Sequence, residues 1–221
     1  MTRHGRTSLR RLVTVGLGVG AVLLAVLLLV SLLAERSVQD ATAAEARRSE
    51  SLRLAYELRQ TSDDLTRMAR SYVATGEPRY LAWFREILAI RAGTAPRPTG
   101  YDGIYWDTVT DTGQRPTPFG APVAFASLAA RAGFDGPEQA LLASAQSRSD
   151  ALALLEERAF ALVAAGPATT PTDRALATSM LNDATYLHAK AEIMQPIGQV
   201  LRLVDTRTAQ DTARAAARGR A

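Results

Sequence analysis

Acidic and basic side chains lie close together in TSDDLTRMARSYVATG, residues 61–76. Asp63 and Asp64 are adjacent, and Arg67 and Arg70 follow within two turns of a helix. One carboxyl could act as a general acid and the other as a general base. Consecutive helical residues, however, point about 100° apart. Nothing around them indicates a cleft, so we expect no catalytic residue and no enzyme. The spacing of Asp63 and Arg67 instead predicts an ion pair on a solvated helix face.

A second interpretation pairs this acidic segment with polar residues near the end of the chain. Asp183, Tyr186, His188 and Lys190 lie close together in the sequence, and the first and last helices of an antiparallel bundle are neighbours. Two aspartates and one histidine could hold a divalent metal. Their spacing is not a recognised metal signature, and the chain has two histidines and no cysteine. We therefore expect no metal and no cofactor.

Aromatic residues and arginines are concentrated between residues 79 and 106. Ligand pockets are lined by aromatic side chains with a few polar groups, and guanidinium groups bind anions through charge-assisted hydrogen bonds. This composition favours a site for a small organic anion or an aromatic ring. An alternative is that the same aromatic residues form a satellite core that pins a long loop. The predicted ligand-binding residues are Arg70, Arg79, Trp83, Arg91, Tyr101, Tyr105 and Trp106.

The positive charge of the chain belongs to its first residues. The sequence has 26 basic and 22 acidic side chains and a pI of about 9.8. Residues 1–34 hold four arginines and no acid, and without them the counts are equal at 22 each. No basic face is then needed to explain the pI, and we expect no nucleic-acid partner.

An uncharged apolar run, LVTVGLGVGAVLLAVLLLVSLLA, occupies residues 12–34. As a helix it would span about 34 Å, which is enough for a hydrocarbon core of about 30 Å. It is longer than the apolar region of a cleaved signal peptide, so we predict an uncleaved transmembrane helix. The arginines before it predict a cytoplasmic segment at residues 1–11. Residues 35–221 should then lie on the extracytoplasmic side of the inner membrane.

The spacing of apolar residues after the span predicts an all-α fold. Leu54, Leu58, Thr61, Leu65, Met68 and Tyr72 follow the alternating three- and four-residue steps of a helix that packs in a bundle. Further helices are predicted over 78–92, 123–133, 137–165 and 172–218, the last with Leu176 and Leu187 in its seam. Residues 93–122 hold five prolines and five glycines, which predicts an unstructured insertion. We expect an antiparallel four-helix bundle whose second helix is broken there.

Three blocks of the sequence resemble the extracytoplasmic sensor region of bacterial transmembrane signalling proteins, a group that includes methyl-accepting chemotaxis proteins. The blocks are LRQTSDDLTRMARSYVATGEPRYLAWFREILAIRAGTAPRP, YDGIYWD and YLHAKAEIMQPIGQVLRLVD, in that order. The resemblance covers about residues 51–206. It implies a periplasmic or extracellular input domain for signal transduction, a homodimer, and a small molecule or partner protein as the signal.

The sequence departs from that plan after Val204. No second apolar run follows, and no kinase, cyclase or methylation motif is present. We therefore expect either the input half of a receptor or a stand-alone anchored sensor. A structural or interaction module without a ligand is the alternative function.

Overall fold

A computed structural model describes the backbone of residues 4–101 and 103–218. Side chains are described for residues 14–36, 38–101, 103–211 and 213. The side chains of the predicted cytoplasmic segment 1–11 lie outside these ranges. The chain divides into two units, one of residues 1–46 with 211–221 and one of residues 47–210.

Every regular element of the described backbone is a helix, which confirms the all-α prediction. An isolated antiparallel bridge between Pro98 and Phe119 accompanies them. A 3-10 turn at Gly166–Ala168 precedes the sixth α-helix. The α-helices are α1 (His4–Thr75), α2 (Pro78–Ala92), α3 (Tyr105–Thr112), α4 (Phe125–Arg131), α5 (Gly136–Val163), α6 (Pro171–Met180) and α7 (Ala184–Arg218).

The first unit contains the apolar part of α1. Its leucines and valines are exposed within the protein, with Leu17 at 70% and Leu27 at 68%. Among the described residues, this is the one helix long and apolar enough to cross a membrane. An exposed apolar helix of this kind suits a single membrane span or a signal sequence.

The second unit is built around the later part of α1. The six residues of its predicted seam are all buried, which confirms that part of the sequence analysis: Leu54, Leu58, Thr61, Leu65, Met68 and Tyr72. Burial of such side chains contributes about 1.5–3 kcal/mol each for the large apolar ones. This face of α1 therefore anchors the core of residues 47–210.

Contacts along α1 fix the direction of α7. Arg48 pairs with Asp205 at 3.0 Å, and Asp63 pairs with Lys190 at 2.9 Å. The α7 number falls as the α1 number rises, so the two helices are antiparallel neighbours. This confirms that the first and last helices lie side by side.

The long helix α5 runs in the same direction as α1. Ser149 lies beside Ser62, with 3.3 Å between the hydroxyl oxygens, and the Phe160 ring packs edge-on against Tyr72 at 5.3 Å. Both numbers rise together along the two helices. Since each helix must bury its apolar stripe against another element, α1, α5 and α7 share one core.

Helix α2 has the predicted ends. Pro78 stands in its first turn, and Gly93 ends it in the left-handed conformation at φ 75°. Arg91 at its end donates to Thr61 in the middle of α1. The chain has therefore turned back after Gly76, and α2 is antiparallel to α1.

The segment between α2 and α4 leaves and returns at the same place. A Cβ at Gly93 would lie 2.4 Å from the Ala124 backbone nitrogen, so this close approach requires glycine. Further along, the Thr99 nitrogen donates to the Pro118 carbonyl at 2.9 Å. We call residues 93–99 and 118–124 the neck of the insertion, because the chain runs antiparallel there.

The insertion is structured, which corrects the prediction of a loop without structure. It contains α3, which Gly113 ends in the left-handed conformation. Proline and glycine mark the turns of this segment correctly, but its aromatic residues supply enough apolar surface for a short helix. Three ion pairs join the insertion to α1 and α2: Arg97–Glu57, Asp107–Arg67 and Arg115–Glu86.

The last predicted helix is broken in two, which is a second correction. After α6 ends at Met180, the Asp183 side chain accepts a hydrogen bond from the Tyr186 backbone nitrogen at 2.8 Å. That bond satisfies a backbone donor at the start of α7, as an N-terminal cap does. The Asn182-Asp183 pair was the sequence signal for this break, and the apolar periodicity across it concealed the signal.

The break changes which side chains face the core. Leu181 is fully buried, whereas Leu176 and Leu187 of the predicted seam are 51% and 54% exposed. Two further residues of the predicted seam, Ala184 and Ala191, are also exposed, so the seam is wrong at four positions. The full predicted seam was Leu176, Met180, Ala184, Leu187, Ala191, Met194, Leu201 and Val204. The turn at residues 181–183 resets the helical phase, which a single continuous period could not anticipate. Buried positions on the two helices are Ala177, Tyr186, Ile193, Ile197, Val200 and Val204.

Two leucines five residues apart test this assignment. Leu181→Ala should lower the free energy of unfolding by about 2–5 kcal/mol, because it leaves a cavity in the core. Leu176→Ala, the matched control, should change it by less than about 0.5 kcal/mol, because that side chain is half exposed. Chemical denaturation of the full chain in detergent, followed by circular dichroism, measures both. Equal losses would contradict the break between α6 and α7.

Candidate functional site between the first and last helices

A concave surface of about 490 Å³ lies between α1 and α7 in residues 47–210. Alternating three- and four-residue steps bring positions 63, 66, 67 and 70 of α1 to one side of the helix. Position 187 and position 190 of α7 face them across the antiparallel contact. The lining residues are Asp63, Thr66, Arg67, Arg70, Ser71, Leu187 and Lys190. We call this surface the α1–α7 site.

Lys190 holds one side of the α1–α7 site. Its ammonium group lies 2.9 Å from Asp63 Oδ1 and donates to the Ser62 carbonyl at 2.6 Å. Burial lowers the pKa of Lys190, and the Asp63 carboxylate opposes that shift. The predicted Asp63–Arg67 ion pair is therefore replaced by a contact between two helices. The chain's only lysine supplies a closer partner than the arginine one turn away.

Arg67 turns instead toward two other carboxylates. Its guanidinium donates to Asp64 at 2.5 Å and also contacts Asp107 of α3. The Asp64 residue is 2% exposed, so the interpretation of this stretch as a solvated face is wrong for Asp64. Burial raises the pKa of Asp64 to about 6, against the lowering effect of Arg67. The positive charge of Arg67 is thus already matched by acids of the protein.

Arg70 is a different kind of cation. Its Nε and Nη2 atoms donate to the Leu181 carbonyl at 3.1 and 2.9 Å, and its guanidinium lies 5.4 Å from the centre of the Tyr186 ring. No described carboxylate forms an ion pair with Arg70. The carbonyl and the ring hold the side chain in place without neutralising it. Arg70 therefore leaves a net positive charge in the α1–α7 site.

A buried carboxyl lies beneath the site. Glu156 of α5 is 1% exposed, and its Oε1 atom lies 2.5 Å from the Tyr186 hydroxyl. That hydroxyl is also 3.1 Å from Thr66 Oγ1, which lines the α1–α7 site. Burial raises the pKa of Glu156 to about 7, while Tyr186, Lys190 and Arg70 act in the lowering direction. The carboxyl is therefore poised to titrate near neutral pH.

Arg91, predicted to contact a ligand, lies in the core. It is 4% exposed and donates to Ser149 at 2.8 Å, to Thr61 at 2.9 Å and to Ser62 at 3.3 Å. Burial lowers its pKa, and Asp150, 3.8 Å away, opposes that change. In this position Arg91 joins α1, α2 and α5 through hydroxyl groups.

The predicted aromatic residues of the insertion form a packed cluster. Tyr101, Tyr105 and Trp106 are each 7% exposed or less, and Trp106 Nε1 donates to the Tyr101 hydroxyl at 2.8 Å. The rings meet edge to face at 5.2 and 5.3 Å. Such contacts add about 0.5–1.5 kcal/mol per pair beyond area burial. The three rings are part of the main hydrophobic core of residues 47–210 and not a separate satellite core.

Arg79 and Trp83 lie together at the start of α2. The Arg79 guanidinium is 5.0 Å from the Tyr80 ring centre and 5.7 Å from that of Trp83, and Glu77 pairs with it at 2.6 Å. Of the predicted set, Arg70 lines the α1–α7 site, while the others belong to the core, the insertion or this stack. Their role in binding a ligand stays a prediction.

Sequence reasoning missed much of the α1–α7 site. Thr66, Ser71 and Leu187 were not singled out, although their spacing on two antiparallel helices was available as a signal. Asp63 and Lys190 were considered together, but as part of a metal site. Within the described residues, no three histidine, aspartate or glutamate side chains converge as metal ligands. His188 is 77% exposed and lies near Glu192 instead.

The α1–α7 site carries side chains of the kinds that hold anions in proteins. Arg70 offers a charged donor with no carboxylate partner among the described residues, and Lys190 offers a second one that it shares with Asp63. Thr66 and Ser71 offer hydroxyls, and the half-exposed Leu187 offers an apolar wall. Charge-assisted hydrogen bonds to a carboxylate are about twice as strong as those between neutral groups. No protein-family model, curated protein or solved structure matches this chain. The resemblance to chemoreceptor input regions therefore depends on the three sequence blocks alone.

From the pKa of its buried carboxyl Glu156, we predict that the protein is more stable in mild acid than above neutral pH. Glu156 has an ordinary pKa of 4.5 and a folded pKa of about 7, so its neutral form favours folding. This stabilisation is complete below the unfolded pKa and is lost as pH rises through about 7. Between about pH 5 and pH 8 we expect a loss of about 2–3 kcal/mol from this group.

Glu156→Gln should remove most of that pH dependence, because the amide stays neutral. Urea denaturation at both pH values measures the difference. Glu157→Gln is the matched control, since its carboxylate is 38% exposed and pairs with Arg85 at the surface. A wild-type protein that is equally stable at both pH values would show that Glu156 is already ionised in the folded state.

Proposed function

We propose that this chain is a membrane-anchored sensor module that binds a small organic anion at the α1–α7 site. The proposal depends on Arg70, which lines this concave surface. The Arg70 guanidinium donates its hydrogen bonds to a backbone carbonyl and not to a carboxylate, so the cation is held in place without being neutralised. A ligand carboxylate would supply the missing negative charge. Leu187 beside it favours a ligand with an apolar part.

The antiparallel direction of α2 and α7 relative to α1, with α5 parallel to it, supports the finer assignment of a four-helix sensor bundle. Helix α4 would complete the second helix of that bundle, since Ala132 just after it accepts a hydrogen bond from Ser51 at 3.0 Å. Arg91 by contrast contacts Thr61, ten residues further along α1. The second helix that the sequence predicts to be broken at residues 93–122 fits this order.

The proposal also includes a homodimer. The resemblance of the three sequence blocks to chemoreceptor input regions implies two copies in one membrane, side by side and in the same direction. Anchoring both copies raises their effective concentration, as a short linker does.

A ligand screen tests the site. Small carboxylates should raise the melting temperature of the full chain, because a ligand that binds only the native state stabilises it. For any such ligand, Arg70→Gln should weaken binding by about 10-fold to 100-fold, the range expected for a lost charged hydrogen bond. Calorimetry measures the affinities. Melting curves without ligand show whether the variant still folds.

Arg79→Gln is the matched control, since it removes an arginine at the surface of α2. It should leave the affinity unchanged. Weaker binding in Arg79→Gln with normal binding in Arg70→Gln would move the site to the predicted aromatic and arginine residues. If no small carboxylate or aromatic compound raises the melting temperature, the module is structural or binds a protein partner.

A protease experiment tests the orientation. The four arginines before the apolar run predict a cytoplasmic N-terminus, so protease added to spheroplasts should digest the chain after about Glu35. An epitope at the N-terminus should be protected until the membrane is permeabilised. Protection of residues 47–210 in intact spheroplasts would contradict the extracytoplasmic location.

A further inference from the structure

Glu156 is surrounded by groups that also belong to the α1–α7 site. Among the described side chains, its hydroxyl contact is with Tyr186, at 2.5 Å. The Arg70 guanidinium lies over the ring of that same tyrosine, 5.4 Å from its centre. The charged or titratable groups that act on Glu156 are Tyr186 and Lys190 of α7, Arg70 of α1 and Arg91 of α2. Two of these four, Arg70 and Lys190, line the concave surface above.

The hydrogen bonds around Glu156 can satisfy both of its protonation states. When the carboxyl is ionised, the Tyr186 hydroxyl donates to it, and Thr66 donates to the Ser62 carbonyl at 3.2 Å. When the carboxyl is protonated, it can donate to the tyrosine oxygen, and Tyr186 then donates to Thr66 Oγ1 at 3.1 Å. Each hydroxyl is both donor and acceptor, so one rotation of the tyrosine proton connects the two states.

We propose that binding of an anion at the α1–α7 site is coupled to the uptake of one proton by Glu156. This inference rests on the proposed anion site. The proton comes from the solvent and forms an O–H bond on the Glu156 carboxyl, so the bound anion and the added proton enter together. This coupling would regulate the sensor, because the same ligand concentration would fill a larger fraction of the α1–α7 sites in acid than in base.

The physical reason is competition for the same cations. In the free protein, Lys190 and Arg70 stabilise the ionised Glu156, and both also line the α1–α7 site. An anion bound to those two groups repels the Glu156 charge across a low-dielectric layer. A neutral carboxyl removes that repulsion. By reciprocity, protonation of Glu156 strengthens anion binding by the same factor.

Sulfate is a suitable probe, since its charge does not change over the pH range of interest. The full chain is held in nanodiscs of zwitterionic lipid at constant ionic strength, with chloride as the balancing anion. Sulfate affinity is derived from the rise in melting temperature at about pH 6, 7 and 8. We expect binding about 3-fold to 10-fold weaker at the highest pH than at the lowest, since one unit of pKa corresponds to tenfold.

Infrared difference spectra with and without sulfate report the proton directly. At about pH 7 the C=O stretch of a neutral carboxylic acid should appear on sulfate addition. That band should be absent in Glu156→Gln, whose sulfate affinity should no longer change between about pH 7 and 8, where Asp64, with a pKa of about 6, stays ionised. Glu157→Gln, the adjacent surface carboxyl, should behave as the wild type does. Lys190→Met should weaken sulfate binding and reduce the band.

The outcomes separate this proposal from the one on which it rests. Sulfate binding with the same affinity at all three pH values and no carboxylic-acid band would overturn the proton coupling and leave the anion site standing. A pH dependence that persists in Glu156→Gln between about pH 7 and 8 would also overturn it, since another group would then titrate. Absence of any sulfate binding, including at the lowest pH, would contradict both proposals.

Discussion

Polar side chains on the buried side of α1 limit how the other helices can be arranged around it. Thr61, Ser62, Asp64 and Thr66 are all less than 10% exposed, and each unsatisfied polar group would cost about 1–3 kcal/mol. Arg91 of α2 and Ser149 of α5 bond to the first two. Tyr186 of α7 bonds to Thr66. A shift of one turn in any neighbour would break these bonds, so the polar stripe fixes the register that the apolar contacts alone would leave loose.

Four buried carboxyls are stabilised in different ways, and the difference explains why Glu156 stands apart. Glu57 faces Arg97, and Asp64 faces Arg67. Glu138 closes a capping box with Asp135 at the start of α5 and pairs with Arg207 at 3.1 Å. Glu156 has a hydroxyl as its direct partner, and the cations that act on it stand behind Tyr186. A carboxyl without a contacting cation keeps its proton to a higher pH than one that is directly paired.

The sequence predicted well where a single period runs unbroken. The seam of α1, both ends of α2 and the extent of α5 follow from apolar spacing and from Pro78 and Gly93. It failed where a local side-chain bond overrides the period, as at Asp183. It also could not decide that Asp63 would meet Lys190 rather than Arg67, because that choice depends on the register of two helices 127 residues apart in the sequence. The predicted site residues were selected by type, and burial separates Arg91 and Trp106 from the surface that Arg70 lines.

The neck of the insertion has a consequence for how this protein can change in length. Because Gly93 and Ala124 already touch, the helices on either side meet without the intervening residues. A longer or shorter excursion there adds little closure entropy, since that cost grows only with the logarithm of loop length. Two requirements remain. Arg97 neutralises the buried Glu57 from within the neck, and the aromatic rings of the insertion fill part of the core. The length of the segment can thus vary, provided that any replacement keeps an arginine for Glu57 and an apolar cluster of similar size against the core.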